Sequence, residues 1–185
     1  DSMQKMFAAA EAEIRTAIPS FDRHRVMGAN VDIFHKYPAH QRSMIHALTS
    51  TFSARINVGG RLFNLVTNPI VDEQGKRLGT VVEWVDRTAE SRAEAQVIAV
   101  VEAAGKGDFS RRVDTADIPA NLLPLATGLN ELVSTTGRVI EAASAELVDL
   151  ANGRLDAGGE ASYQGTFAEM QGAMSRVRTT LSDLI

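Results

Sequence analysis

Apolar residues change their spacing once along this chain, near residue 88. Before that point, Met3, Met6, Phe7, Ala10, Ile14 and Ala17 recur at helical intervals and predict a helix over residues 2–18, stopped by Pro19. Residues 31–37 run Val-Asp-Ile-Phe-His-Lys-Tyr up to Pro38, which disfavours a helical Tyr37 and suits the first turn of a new helix. This predicts a short helical turn carrying His35, then a helix from about Pro38 to Leu48 carrying His40 and His46. Strict alternation follows. In residues 51–58, Phe52, Ala54, Ile56 and Val58 alternate with polar residues, as in a half-buried strand. Gly59-Gly60 is a two-residue hairpin signal, and residues 61–69 form the next strand, with Phe63 and Leu65 on one face. A turn at Asp72-Glu-Gln-Gly75 leads to a third strand whose even positions are Leu78, Thr80, Val82 and Trp84. The first part is therefore α+β, a three-stranded antiparallel meander with helices before it. Asp86-Arg-Thr88 ends the alternation, and either Asp86 or Thr88 can cap a helix beginning at Ala89-Glu90.

Beyond Thr88 the period is helical, and it repeats. Val97, Val101 and Ala104 form a narrow stripe, broken by Gly105 and Gly107. Residues 106–119 are irregular, with isolated Phe109, Val113 and Ile118, and a second helix begins around Pro119-Ala120 with Leu122, Leu125, Leu129 and Leu132 at heptad-like spacing. Ala143, Leu147 and Leu150 echo the first stripe at an offset of 46 (143 − 97), with Asn152-Gly153 as the break and Leu155 standing for Phe109. Phe167, Met170, Met174 and Val177 echo the leucine seam at an offset of 45 (167 − 122). These are two copies of a helix–connector–helix unit, the second helix of one running into the first helix of the next. A 14-residue helix is about 21 Å long and 13 extended residues reach about 45 Å, so the connector can return along the bundle and start a parallel helix. Spaced apolar residues pin it as it returns. Two narrow stripes cannot bury a core alone, and a parallel four-helix bundle from two chains can, which predicts a homodimer.

Composition removes several function classes. Lys and Arg number 19 against 23 Asp and Glu, a net charge of −4 with no basic block, so a nucleic-acid surface is not expected. Without cysteine there is no disulfide framework, zinc-thiolate site or iron–sulfur cluster. No apolar run has the length of a membrane span, and a cytoplasmic location is expected, the parent protein being soluble or membrane-anchored. No Ser/His/Asp set, Walker loop or metal-ligand cluster points to an enzyme, and His24, His35, His40 and His46 lack the carboxylates of a zinc site.

The stretches Gly-Ala-Asn-Val-Asp-Ile-Phe-His ending at His35, Phe-His-Lys-Tyr-Pro-Ala-His-Gln from Phe34 to Gln41, and Glu-Trp-Val-Asp-Arg-Thr from Glu83 to Thr88 resemble a PAS domain. The units broken at Gly107-Asp108-Phe109 resemble tandem HAMP domains. Together they resemble a bacterial methyl-accepting chemotaxis protein of the aerotaxis type. The resemblance implies a PAS sensor over 1–88 lacking its first two strands, a HAMP domain over 89–137, and a second over 138–185 sharing a continuous helix with the first. It implies b-type haem and oxygen sensing. His35 would be the axial iron ligand and His40 a fallback, with Trp84 a distal N–H donor beside Leu65 and Asp86 and Thr88 coupling sensor to output helix. By spacing alone, His35 is a histidine hydrogen-bonded at a helix end, and Leu65 and Trp84 are core. The partners implied are a second copy and, through regions beyond this chain, a chemotaxis histidine kinase and its coupling protein. A ligand-free relay module and the input region of a sensor histidine kinase are the alternatives.

Overall fold

A computed structural model of the chain describes residues 2–35, 37–156 and 163–184. It divides into two units, Asp1–Arg92 and Ala93–Ile185. In the first, α1 spans Ser2–Ala17 and buries the predicted face through Phe7, Ala10 and Ile14. Short 3-10 turns at Arg23–Arg25 and Val31–Phe34 are each opened by a side-chain cap: Asp22 accepts the His24 N–H, and Asn30 accepts the Asp32 N–H, both at 2.9 Å. Helix α2, Pro38–Ala47, begins with its proline as expected and has no buried residue.

The sheet is the predicted antiparallel meander of β1 (Phe52–Val58), β2 (Arg61–Val71) and β3 (Arg77–Asp86). Gly59 and Gly60 both have positive φ, as a tight primed hairpin turn requires. Strand β2 runs two residues past the predicted end, straight through Pro69. β1 stops opposite Thr67, so from Asn68 onward β2 is a sheet edge, where proline is tolerated. Strand β3 corrects one expected core position. Ile70 pairs with Gly79 and Val71 with Arg77, so Leu78 is the extra residue of a bulge and is exposed. Past the bulge the even positions hold: Thr67 faces Val82 and Leu65 faces Trp84. The core joins buried Phe7, Ala10, Ile14, Phe21 and Phe63, with half-buried Trp84 packed edge-on to Phe7 (5.7 Å) and Phe63 (5.5 Å).

The second unit contains most of α3 (Thr88–Gly105), together with α4 (Leu123–Ala151) and α5 (Thr166–Ser182). Helix α4 starts later than predicted, with Pro124 rather than Pro119 in its first turn. It passes Gly128 and Gly137 without a break, as the expected fusion of the two copies requires. The repeat reappears in the backbone. At the end of α3 the N–H of Gly107 bonds the carbonyl of Ala104 at 3.0 Å, and that of Asp108 bonds Ala103 at 2.9 Å. At the end of α4, 46 residues on (153 − 107), the Gly153 N–H bonds Leu150 at 3.1 Å and the Arg154 N–H bonds Asp149 at 2.9 Å. Both are Schellman closures, with glycine in the left-handed conformation at the turning position.

The buried faces differ from the predicted ones. Val100 is buried and Val101 exposed; both continue a three-four spacing from Val97, so spacing alone does not choose between them. On α4, Ala126 and Val133 are buried, while Leu125 and Leu132 stand out at 60% and 63% exposure. Of the leucine seam, Leu129 packs against the buried cluster and Leu122 is half-buried. Phe109, Val113 and Ile118 hold the connector to the helices as expected, with Val113 fully inside. Asn130 adds a clamp, accepting the Val113 N–H at 2.8 Å and donating to the Val113 carbonyl at 2.9 Å. Helix α5 buries no residue and is tied to α4 by Arg178–Glu146 at 3.1 Å. Residues 157–162 of the second connector lie outside the described residues.

Candidate functional site: an apolar cavity and the junction at its edge

The first unit carries a partly open cavity of about 530 Å³, the size of a small-molecule or cofactor site. Its walls are α1 (Phe7, Ile14), the turn before α2 (Val31, Phe34, His35), α2 (Met44, Ile45) and the inner sheet face (Ile56, Leu65, Val82, Trp84). The lining is almost wholly apolar, with His35, Gln41 and Thr67 as polar exceptions. Sheet pairing sets Leu65 directly opposite Trp84, which explains why two residues 19 apart in sequence (84 − 65) meet at one wall.

His35 follows the Val31–Phe34 turn as its C-cap. Its Nδ1 lies 2.9 Å from the Val31 carbonyl oxygen. A carbonyl can only accept, so Nδ1 carries a proton, and in the neutral ring Nε2 keeps its lone pair. A backbone carbonyl holding one imidazole nitrogen is the arrangement that orients a metal-ligating histidine. Both readings of His35 are thus compatible: it hydrogen-bonds at a helix end, and its other nitrogen is available. His40 is exposed on α2 and takes no part in the lining. Lys36, inside the same sequence run, lies outside the described residues. Gln41, not singled out by sequence, lines the cavity and has a buried Oε1 without a hydrogen-bond partner. The Trp84 indole N–H has no hydrogen-bond partner among the described residues.

The second feature is the junction between β3 and α3. Asp86 accepts the Thr88 N–H at 2.9 Å and the Thr88 hydroxyl on Oδ1, while its Oδ2 takes Arg61 Nη1 at 2.9 Å. The Thr88 oxygen accepts the Leu62 N–H at 3.0 Å, and the Arg87 N–H bonds the Leu62 carbonyl at 2.8 Å. So the cap on α3 is built into the start of β2, and Thr88 itself is buried. Helix α3 begins at Thr88, one residue earlier than expected, because Asp86 supplies the cap. Burial pushes the Asp86 carboxyl up, but the Thr88 hydrogen bonds and the Arg61 guanidinium outweigh it, and the net shift is downward. Arg61 also reaches α1, donating to the Ala9 carbonyl at 2.7 Å and to Glu13 at 2.8 Å. The Glu13 carboxyl is lowered, chiefly by that hydrogen bond. Sequence reading passed over Arg61, yet it held a signal: counting by two from Phe63 puts this arginine on the apolar face of β2.

No protein-family model matches the chain. A methyl-accepting chemotaxis protein of Pseudomonas aeruginosa, McpB, is 44% identical over 184 residues, covering 100% of this chain and 27% of McpB. The chain thus spans about a quarter of the length of that relative. A solved structure of the Aer2 receptor from Vibrio cholerae, described as a dual PAS-heme oxygen sensor, is 36% identical over 45% of this chain and 76% of its own, with a TM-score of 0.40. The chain is a homologue, along its whole length, of a segment of a methyl-accepting chemotaxis protein. No helix among the described residues is long and apolar enough to cross a membrane.

Proposed function

We propose that this chain is the non-catalytic sensing and relay portion of a chemoreceptor. Its first unit is a PAS-type ligand-binding domain, and its second a pair of HAMP-type units completed by a second copy in a parallel four-helix bundle. The signal passes from the cavity through Asp86 and Thr88 into α3, biasing the bundles toward one of two packings. In the full receptor it continues to a chemotaxis histidine kinase and its coupling protein. The exposed Leu125 and Leu132 support the dimer, because both belong to a heptad seam that one chain leaves uncovered.

The ligand we assign is b-type haem. The observation that carries this is His35, which lines a large apolar cavity and whose Nδ1 is held by the Val31 carbonyl, leaving Nε2 of the neutral ring without a hydrogen-bond partner. The donor set fits the group: a neutral imidazole, an apolar enclosure and a free indole N–H at Trp84. Haem, when bound, would supply an iron with a position open to oxygen. Val31 sets the tautomer of His35. Leu65 and its neighbours exclude water, and Trp84 offers the hydrogen-bond donor. Absorption spectroscopy after haem addition tests this. A Soret band that is lost or shifted in His35→Ala is the expected result. A band unchanged in that variant would remove His35, and no band in the parent chain would leave a relay whose cavity takes another ligand.

A further inference from the structure

Helix α1 and the first turn of α3 share one guanidinium. Arg61 Nη2 holds α1 through the Ala9 carbonyl (2.7 Å) and Glu13 (2.8 Å), while its Nη1 holds Asp86 (2.9 Å), the cap of α3. The side chain is only 21% exposed and its Nε is buried without a partner, so little but these acceptors fixes its position. The contact is close on the backbone side too. The hairpin that carries Arg61 lies so near α1 that a Cβ on Gly59 would stand 1.7 Å from the Glu13 carbonyl oxygen. Helix α1, in turn, is a wall of the cavity through Phe7 and Ile14. No other described side chain hydrogen-bonds or ion-pairs both with α1 and with the cap of α3.

We infer that Arg61 is the positioning residue through which α1 governs the first turn of α3. A displacement of the cavity wall moves the Ala9 and Glu13 acceptors, and the rigid fork of the guanidinium carries that movement to Asp86. This rests on the relay reading above and adds a route to it: the signal enters α3 from the cavity-lining helix as well as along β3. Lysine in place of Arg61 cannot do this, because one ammonium does not span acceptors on both sides.

The test is hydrogen exchange on the 185-residue chain, without added ligand. The readout is the amide of Ser91, which bonds the Arg87 carbonyl in the first turn, divided by the average change at Leu65 and Val82 in the sheet. Phe7→Ala disturbs α1 at the cavity wall; if it unfolds the unit, Ile14→Val gives a gentler push. We expect it to speed Ser91 exchange about fivefold, as a weakened cap would. In a Glu13→Ala or Arg61→Lys background the rate should start raised, and the same push should add less than about twofold. An equal factor in all backgrounds would overturn the role of Arg61. Failure of the relay reading shows separately: Asp86→Asn would then leave Ser91 exchange unchanged.

Discussion

The two units solve the problem of a small core in opposite ways. The first fills its interior with rings, Phe7, Phe21, Phe63 and Trp84, which meet edge-on and leave an apolar cavity beside them. The second uses small and branched residues, Val100, Val113, Ala126 and Val133, and turns its larger leucines outward. Rings hold their shape around a space. Thin stripes leave apolar surface, which a second chain covers in the proposed assembly. The unit proposed to bind and the unit proposed to assemble thus differ in which residue sizes are inside.

The largest break in that contrast is expected from Phe63→Ala. Phe63 is fully buried against Trp84, and its loss should cost about 3–5 kcal/mol. The single tryptophan, Trp84, lies beside it, so fluorescence during denaturant unfolding follows the first unit alone. A midpoint unchanged by the substitution would mean that the rings do not support the unit. Next is Leu132→Glu. For an isolated chain this position is a surface residue, and a change within about 0.5 kcal/mol follows. For the dimer it buries a charge in the seam, at a cost of several kcal/mol, and sedimentation should show monomers. A dimer surviving the glutamate would refute the assembling role.

Gly137→Ala is a smaller and sharper test. Alanine favours a helix by about 1 kcal/mol, but its Cβ would meet the Phe109 Cβ at 2.8 Å, so a net loss of about 1–2 kcal/mol is expected. A raised thermal midpoint by circular dichroism would show that the connector is not seated against α4. The smallest effect is acidic. Glu13 and Asp86 both have folded-state pKa values lowered below their ordinary range, so each stabilises the folded unit above its unfolded value. That stabilisation is lost as pH falls through the lower, folded value. Asp86→Asn should therefore flatten the acid limb of a stability–pH curve of the first unit, and an unchanged limb would show that Asp86 contributes nothing there.

What the chain revealed in advance was whatever depends on local geometry. Gly59-Gly60 has one good conformation in a hairpin, and Gly107 and Gly153 close helices by a motif that needs glycine at one place, so turn and repeat were legible. The sides of narrow helices were not, because Val100 and Val101 satisfy the same spacing and only packing separates them. The roles of His35, Leu65 and Trp84 come from resemblance, and the fold brings all three to the lining of one cavity, while His40 stays outside. The Arg61 junction joins positions 48 and 25 residues apart (61 − 13 and 86 − 61), and its only local trace was an arginine on an apolar strand face.

Helix α4 is one uninterrupted rod of 29 residues, about 44 Å long. It serves as the last helix of one repeat and the first of the next. Two separate switches in series would have four combined settings, half of them contradictory. In the proposed relay a shared shaft with no joint would remove the contradictory pair, because turning one end would turn the other. The array would then carry a single bit of information along its length, its fidelity coming from the absence of a place where the two halves could disagree.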